Sequence, residues 1–274
     1  MFKIIIMALL IFIGMVGYDN ITDKAQPTTP IQQEQQKVSK HEKSAAMALF
    51  TSLLPPKEEW PSPVHKFYLA FNMDEVIDPI RQNPNWTSLD AMSRDIPQAL
   101  IAIEDHAFYN HGAIAVEGIL RAALANINAG EVVQGGSTLT QQFVKNVFLS
   151  HEQSMERKIE EAVLSLMLED NYSKDEILEL YLNTTYFGAG STGIKQASRT
   201  YFGKAPSALT LAEAAVIASL PYAPTSLNPL ENPEDCKKRQ LLVLAAMHKY
   251  GMINQGQLAE AKTEKIRLTN GTVM

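Results

Sequence analysis

Beyond about residue 43, apolar positions recur every three or four residues between short polar breaks, which is the period of helices buried on one face. Asp95 followed by Pro97 reads as a cap and first helical turn leading into QALIAIED. Residues 116–129 keep the helical period and stop at Gly130, a natural helix end. Residues 150–170 predict one long amphipathic helix. Ser173 with Glu176 forms a capping-box pattern ahead of ILELYLN, and Thr210 with Glu213 repeats it ahead of AAVIASL. Asn232-Pro233 opens a further helix that runs through Tyr250 and stops at Gly251. Alternation of the strand type is scarce, and KFYLAF, residues 66–71, is the best strand candidate. The expected class is mainly α with one small β piece, and no internal repeat is present.

The N-terminus follows another pattern. Lys3 is the only charge before Asp19, so residues 4–18 form an uncharged apolar run. That run is shorter than the roughly 20 residues a spanning helix wants. It resembles a signal-peptide core or a short anchor, and no A-x-A site follows it. The expectation is an uncleaved membrane anchor at 1–18, with Lys3 kept inside and the rest sent outward. Residues 19–43, rich in Gln, Thr, Pro and Lys, read as a flexible tether. A lead-in at 44–89, a globular body at 90–262 and a tail at 263–274 complete the organisation.

Composition narrows the function classes. The chain of 274 residues is 46% hydrophobic and 20% charged, enough for a sizeable core. A net charge of −6 argues against a nucleic-acid partner. The single Cys236 excludes an internal disulfide and a thiolate zinc cluster.

Four stretches carry groups capable of chemistry. QGGSTLTQQ, residues 134–142, sets two glycines before a helix start capped by Ser137 or Thr138, with Gln141, Gln142 and Lys145 following. Free N–H groups, hydroxyls and a lysine there suit an anion such as phosphate, but on this segment alone a capped surface helix is the plainer reading. AIEDHAFYNH, 102–111, places Glu104 and Asp105 after an apolar stretch, where burial can raise a carboxyl pKa for acid–base work. A solvated acidic pair with Phe108 in the core is the plain alternative. In ERKIEE, 156–161, Arg157, Lys158 and Glu161 share a helix face, as in any salt-bridged helix. SKDEILELYLN, 173–183, reads for most of its residues as an amphipathic helix packing its leucines inward. Two glutamates, cations and an anion-friendly helix start together suit glycosyl transfer from a sugar diphosphate.

The motifs EDHAFYNH, QGGSTLTQQFVKN, RKIEEA, KDEILELYLN and RQLLVLAAM stand in the order and spacing of the five motifs of family 51 glycosyltransferases. The chain resembles these peptidoglycan glycosyltransferases over roughly residues 90–262. The resemblance implies a lysozyme-like helical fold and polymerisation of lipid II at the outer, periplasmic face of the cytoplasmic membrane, from a single-pass anchor. By motif position, Glu104 would be the general base and Glu161 the second essential glutamate, near the diphosphate with a divalent cation, Mg or Mn. Lys145 and Arg157 would face the diphosphate, and Ser137, Thr138, Gln141 and Gln142 would line the donor site. Substrate-binding roles extend by the same resemblance to Asp105, Phe108, His111, Gly136, Thr140, Lys158 and Asn183. The implied partners are lipid II, the growing glycan chain, the membrane and other cell-wall synthases, with no nucleic acid and no organic cofactor.

Three positions depart from the family pattern. His111-Gly112-Ala113 displaces a glycine by one, Gln240 follows Arg239 where a second arginine is usual, and Thr192 replaces an aromatic or His. No Ser-x-x-Lys with later Ser-x-Asn and Lys-Thr-Gly is found, so a monofunctional polymerase is expected. The 115–130 region is the candidate for dipping into the bilayer. A lytic muramidase-like enzyme and an inactive lipid II-binding scaffold are the competing readings.

Overall fold

The structure is a computed structural model that describes residues 68–70, 72–120, 127, 135–149 and 154–274. The expected anchor at 1–18 and tether at 19–43 lie outside the described residues. Among the described residues, no helix is long and apolar enough to cross a membrane. In chain order the helices are α1 (Asp74–Arg81), α2 (Asp95–Glu104), α3 (Leu139–Phe148), α4 (Met155–Asn171) and α5 (Lys174–Thr184). They continue as α6 (Ile194–Phe202), α7 (Leu211–Ser219), α8 (Pro233–Lys249) and α9 (Gln255–Thr263). Residues 116–120 are also helical, as is residue 127, both within the expected 116–129 segment.

The second of the chain's two units, Ala70–Met274, is organised around α7. Every residue of α7 from Ala212 to Ser219 is buried, as expected of a helix without a polar face. Its alanines let α2 and α8 pack closely on it and on each other. A second group forms where α3 packs on α4 and α5. Side-chain caps fix most helix starts. Thr138, Ser173, Thr210 and Asn254 each make a capping box, and Ser154 caps α4. Each such cap stabilises its helix by about 1 kcal/mol.

α2 begins differently from the sequence reading. Asp95 is its first helical residue rather than its cap, and Arg94 before it is already helical and makes no side-chain cap. The Ile96 N–H instead donates to Ser93 O at 3.1 Å. Pro97 falls in the first turn, where its missing N–H has no helical partner to lose.

Of the strand expected at 66–71, only residues 68–70 are described, and they are helical. A short apolar run suits either element, and periodicity alone does not separate them. Among the described residues, β pairing is confined to two isolated antiparallel bridges, Tyr186 with Thr192 and Arg267 with Val273. The second closes the C-terminal segment on itself. Ile266 and Leu268 are buried, and the Thr269 N–H donates to Tyr201 O at 3.0 Å, so the expected tail is a packed hairpin.

The first bridge closes the turn between α5 and α6, where Gly193 has φ +83°. A Cβ there would lie 2.6 Å from Asn183 O. Gly190 also has positive φ, +71°, but a Cβ there would meet nothing within 4 Å. Gly190→Ala is therefore expected to cost about 1 kcal/mol from backbone strain alone. Gly193→Ala adds a backbone clash and should cost about 3 kcal/mol or more. Urea denaturation of the two variants tests this, and equal losses would contradict it.

Candidate active site

α2 carries its buried face, Ile96, Ala99, Leu100, Ile101 and Ala102, up to Glu104 and then breaks at Asp105. The break leaves the Glu104 carboxyl at the end of a buried helix. Gln142 Nε2, from α3, donates to Glu104 Oε2 at 3.0 Å. Burial pushes the Glu104 pKa above the usual carboxylate range. The Gln142 hydrogen bond, then Arg239 and Lys145, pull against that shift, and the neighbouring Asp105 adds to it.

Asp105 does different work. Its Oδ2 accepts the Leu139 N–H at 3.0 Å, at the first turn of α3. Its Oδ1 meets His111 Nε2 at 2.6 Å, while His111 Nδ1 meets Gly112 O at 2.6 Å. Both ring nitrogens therefore face acceptors, which suits the imidazolium. Its pKa is raised first by the Asp105 hydrogen bond and then by the Gly112 carbonyl, with burial opposing. Thr138 Oγ1 donates to Ala113 O at 2.7 Å, tying the same loop to the α3 cap. Ala113 itself is buried and takes part through its backbone.

These bonds change the expected use of the α3 N-terminus. The Thr138 N–H is taken by Gln141 Oε1 at 3.1 Å, and the Gln141 N–H by Thr138 Oγ1 at 3.1 Å. With Leu139 committed to Asp105, three N–H groups expected to face an anion are satisfied by the protein. Asp105, Thr138 and Gln141 thus brace the loop against the start of α3. Phe108 is fully buried under Lys174, whose Nζ lies 4.4 Å from the ring centroid. Lys174 pairs with Glu169 at 2.6 Å, and Thr140 Oγ1 donates to the same carboxylate at 2.6 Å. Asn183 is committed as well. Its Oδ1 accepts the Thr87 N–H at 2.9 Å, and its Nδ2 donates to Thr87 O and Glu179 O, each at 2.8 Å.

The positive part of the site is on α4. Glu161 is only 2% exposed and is held by Arg157 Nη1 at 3.4 Å and by Lys158 Nζ. Lys158 also donates to Ser137 Oγ at 3.2 Å, so the loop before α3 touches this pair. Among the described residues, Arg157 Nε is buried without a hydrogen-bond partner. Lys145 is exposed in the last turn of α3. Gly136 and Ser137 lie at the surface of the loop.

The residues present do not fit a resident divalent ion. Both Glu161 oxygens already face cations. Among the described residues, no three His, Cys, Asp or Glu side chains converge to hold a metal.

Sequence reasoning missed two residues here. The Tyr181 hydroxyl donates to Gln142 Oε1 at 3.0 Å, and Arg239 reaches Glu104 electrostatically while its guanidinium lies 4.2 Å over the Tyr222 ring. The available signal for Tyr181 was a tyrosine at a core-facing helix position, whose hydroxyl must find a partner. Gln240, the departure from the family pattern, is fully buried and donates to Ala212 O at 2.9 Å, joining α8 to α7.

With this geometry in view, the comparisons become specific. The family model described as Transglycosylase matches residues 73–248. A protein of Cupriavidus necator assigned as a transglycosylase is 41% identical over 194 residues, covering 71% of this chain and 84% of that protein. Penicillin-binding protein 1A of Neisseria flavescens is 44% identical over 185 residues, 68% of this chain and 23% of that one. Penicillin-binding protein 1F of Bacillus subtilis is 39% identical over 197 residues, 72% of this chain and 28% of that one. The chain thus spans about a quarter of those two penicillin-binding proteins. It belongs to the transglycosylase family, the family 51 glycosyltransferases, and is an enzyme of that class.

The His111–Asp105 contact gives a pH prediction. A histidine whose folded pKa is raised adds stability below its unfolded pKa of about 6.5 and loses it as pH rises through the folded value. Stability in urea should therefore fall as the pH rises above about 6.5 more steeply for the native protein than for His111→Gln. Parallel curves would remove the histidine from the bracing of this loop.

Proposed function

We propose that this enzyme polymerises lipid II into glycan strands. The observation that carries the proposal is the contrast between the two carboxylates bordering α3. Glu104 has a neutral amide as its hydrogen-bond partner and a raised pKa, whereas Glu161 is clamped by two cations. The first environment suits a base, the second an anion-holding cluster.

In this reading Glu104 accepts the proton of the 4-hydroxyl of the acceptor N-acetylglucosamine. That oxygen bonds to C1 of the growing chain as the C1–oxygen bond to undecaprenyl diphosphate breaks, with inversion. The diphosphate leaves with the bonding electrons. Arg157, Lys158 and Lys145 stabilise the departing charge, and Arg157 keeps one buried donor unspent for it. Glu161 holds Arg157 and Lys158 in place rather than touching the diphosphate, which it would repel. A divalent ion in this reaction would arrive on the substrate's diphosphate. A hydrolytic muramidase would have no use for the cation cluster.

The direct test is conversion of labelled lipid II by the full chain beside Glu104→Gln. Loss of a positioned base should slow polymer formation by about 10²-fold or more. Polymer from the variant at the native rate would sink the assignment.

Val116, Ile119 and Leu120 are exposed on the helical residues 116–120, at 64%, 44% and 60%. We place this apolar stretch against the bilayer, on the outer face of the cytoplasmic membrane. A chain shortened to begin at residue 44 should still float with liposomes, and Val116→Glu with Leu120→Glu should abolish flotation. A shortened chain that stays in the aqueous fraction contradicts this placement.

A further inference from the structure

Glu104 has a neighbour inside the KDEILELYLN motif to which the resemblance gave no role. Tyr181 lies on α5 with its ring in the core, 1% exposed. Its hydroxyl is 3.0 Å from Gln142 Oε1, and Gln142 Nε2 is 3.0 Å from Glu104 Oε2. Three helices, α5, α3 and α2, each supply one member of this chain.

The direction of the chain is set by chemistry. An ionised carboxylate can only accept, so the amide must turn its NH2 toward Glu104. The amide oxygen then faces Tyr181, which must donate. Tyr181 keeps its proton, because burial, with Glu104 adding to it, pushes the phenol well above its ordinary pKa. The relay therefore has one orientation. It occupies Glu104 Oε2 and leaves Oε1 for an incoming hydroxyl.

We infer that Tyr181 is a positioning residue that acts through Gln142 to set the orientation and protonation of Glu104. The relevance to catalysis rests on Glu104 being the base, as proposed above. Without the phenol hydroxyl, the Gln142 amide oxygen loses its partner in a buried place and the amide is free to rotate. The rotated amide would offer Glu104 an oxygen, which favours the protonated carboxyl. Other charged groups reach Glu104 as well: Lys145 from α3, Arg239 from α8 and Asp105 beside it. α7, also packed on α2, contributes Glu213, which is committed to Lys204 at 2.6 Å. None of these is altered by removing one hydroxyl from α5, so the effect of Tyr181→Phe reports the relay.

The experiment is a pair of titrations on the full chain. One is the pH profile of kcat/KM for lipid II polymerisation. The other is the Glu104 carboxyl midpoint by carbon NMR of glutamate-labelled protein, its signal assigned by loss in Glu104→Gln. A net hydrogen bond of ordinary strength corresponds to a shift of about 0.5–1 pH unit. Tyr181→Phe should move the acid limb and the carboxyl midpoint upward together by that amount. Activity should return to near the native plateau at higher pH. Gln142→Leu should give the same upward shift, and the double variant should shift no further. A uniform loss of activity at every pH, with the carboxyl midpoint unmoved in both single variants, would overturn the inference. A carboxyl midpoint that rises while the acid limb stays put would uphold the relay and refute Glu104 as the base.

Discussion

The site depends on one hydrogen bond between a carboxylate and a helix end. Asp105 Oδ2 takes the Leu139 N–H and so fastens the end of α2 to the start of α3. A carboxylate at a helix N-terminus satisfies an otherwise orphan donor and meets the positive end of the dipole. Glu104 is one residue before it and Gln142 is three residues after it, so the two meet. The loop from Asp105 to Ala113 is closed over the same point by His111 and Thr138.

That arrangement has a consequence for charge. A helix start built for an external anion should leave its first N–H groups open. Here they are taken by Asp105 and by the capping box, so the positive charge available to a ligand moves to the side chains of Arg157, Lys158 and Lys145. Glu161, almost fully buried, keeps the first two from swinging into solvent. The cost is a buried Arg157 Nε with no partner, a penalty on the order of 1–3 kcal/mol.

Much of this was legible in the chain, for physical reasons that differ by element. The capping boxes at Ser173 and Thr210 are local, spanning a few residues, and the structure forms both; of Ser137 and Thr138, either of which could cap α3, it uses Thr138. Gly251 ends α8 with positive φ, as its position implied. The short run at 66–71 carried no such local signal, and its described part is helical. The candidate residues were found by their type, but the partners of each were set by tertiary packing. Spacing could not say that Asn183 would bind Thr87, nearly a hundred positions away, nor that Asp105 would spend both oxygens on the protein. Tyr181 stayed hidden because its helix reads as core, and its ring is core. Only the hydroxyl is not.

The two glutamates show why residue type and position are insufficient without environment. Both are carboxylates on helices that border α3. Glu104 ends its helix, so the carboxyl sits where the backbone stops and a substrate can approach. Glu161 lies inside α4, flanked at three and four residues by cations of the same face, so its carboxylate oxygens are occupied. A base must exchange its proton during the reaction, which requires a partner that tolerates both forms. An amide held by a protonated phenol does this, because the pair carries no charge of its own. A guanidinium or ammonium in its place would favour the ionised carboxylate and weaken it as a base. On the proposed reading, the neutral relay to Glu104 and the cationic clamp on Glu161 are therefore two solutions to two tasks.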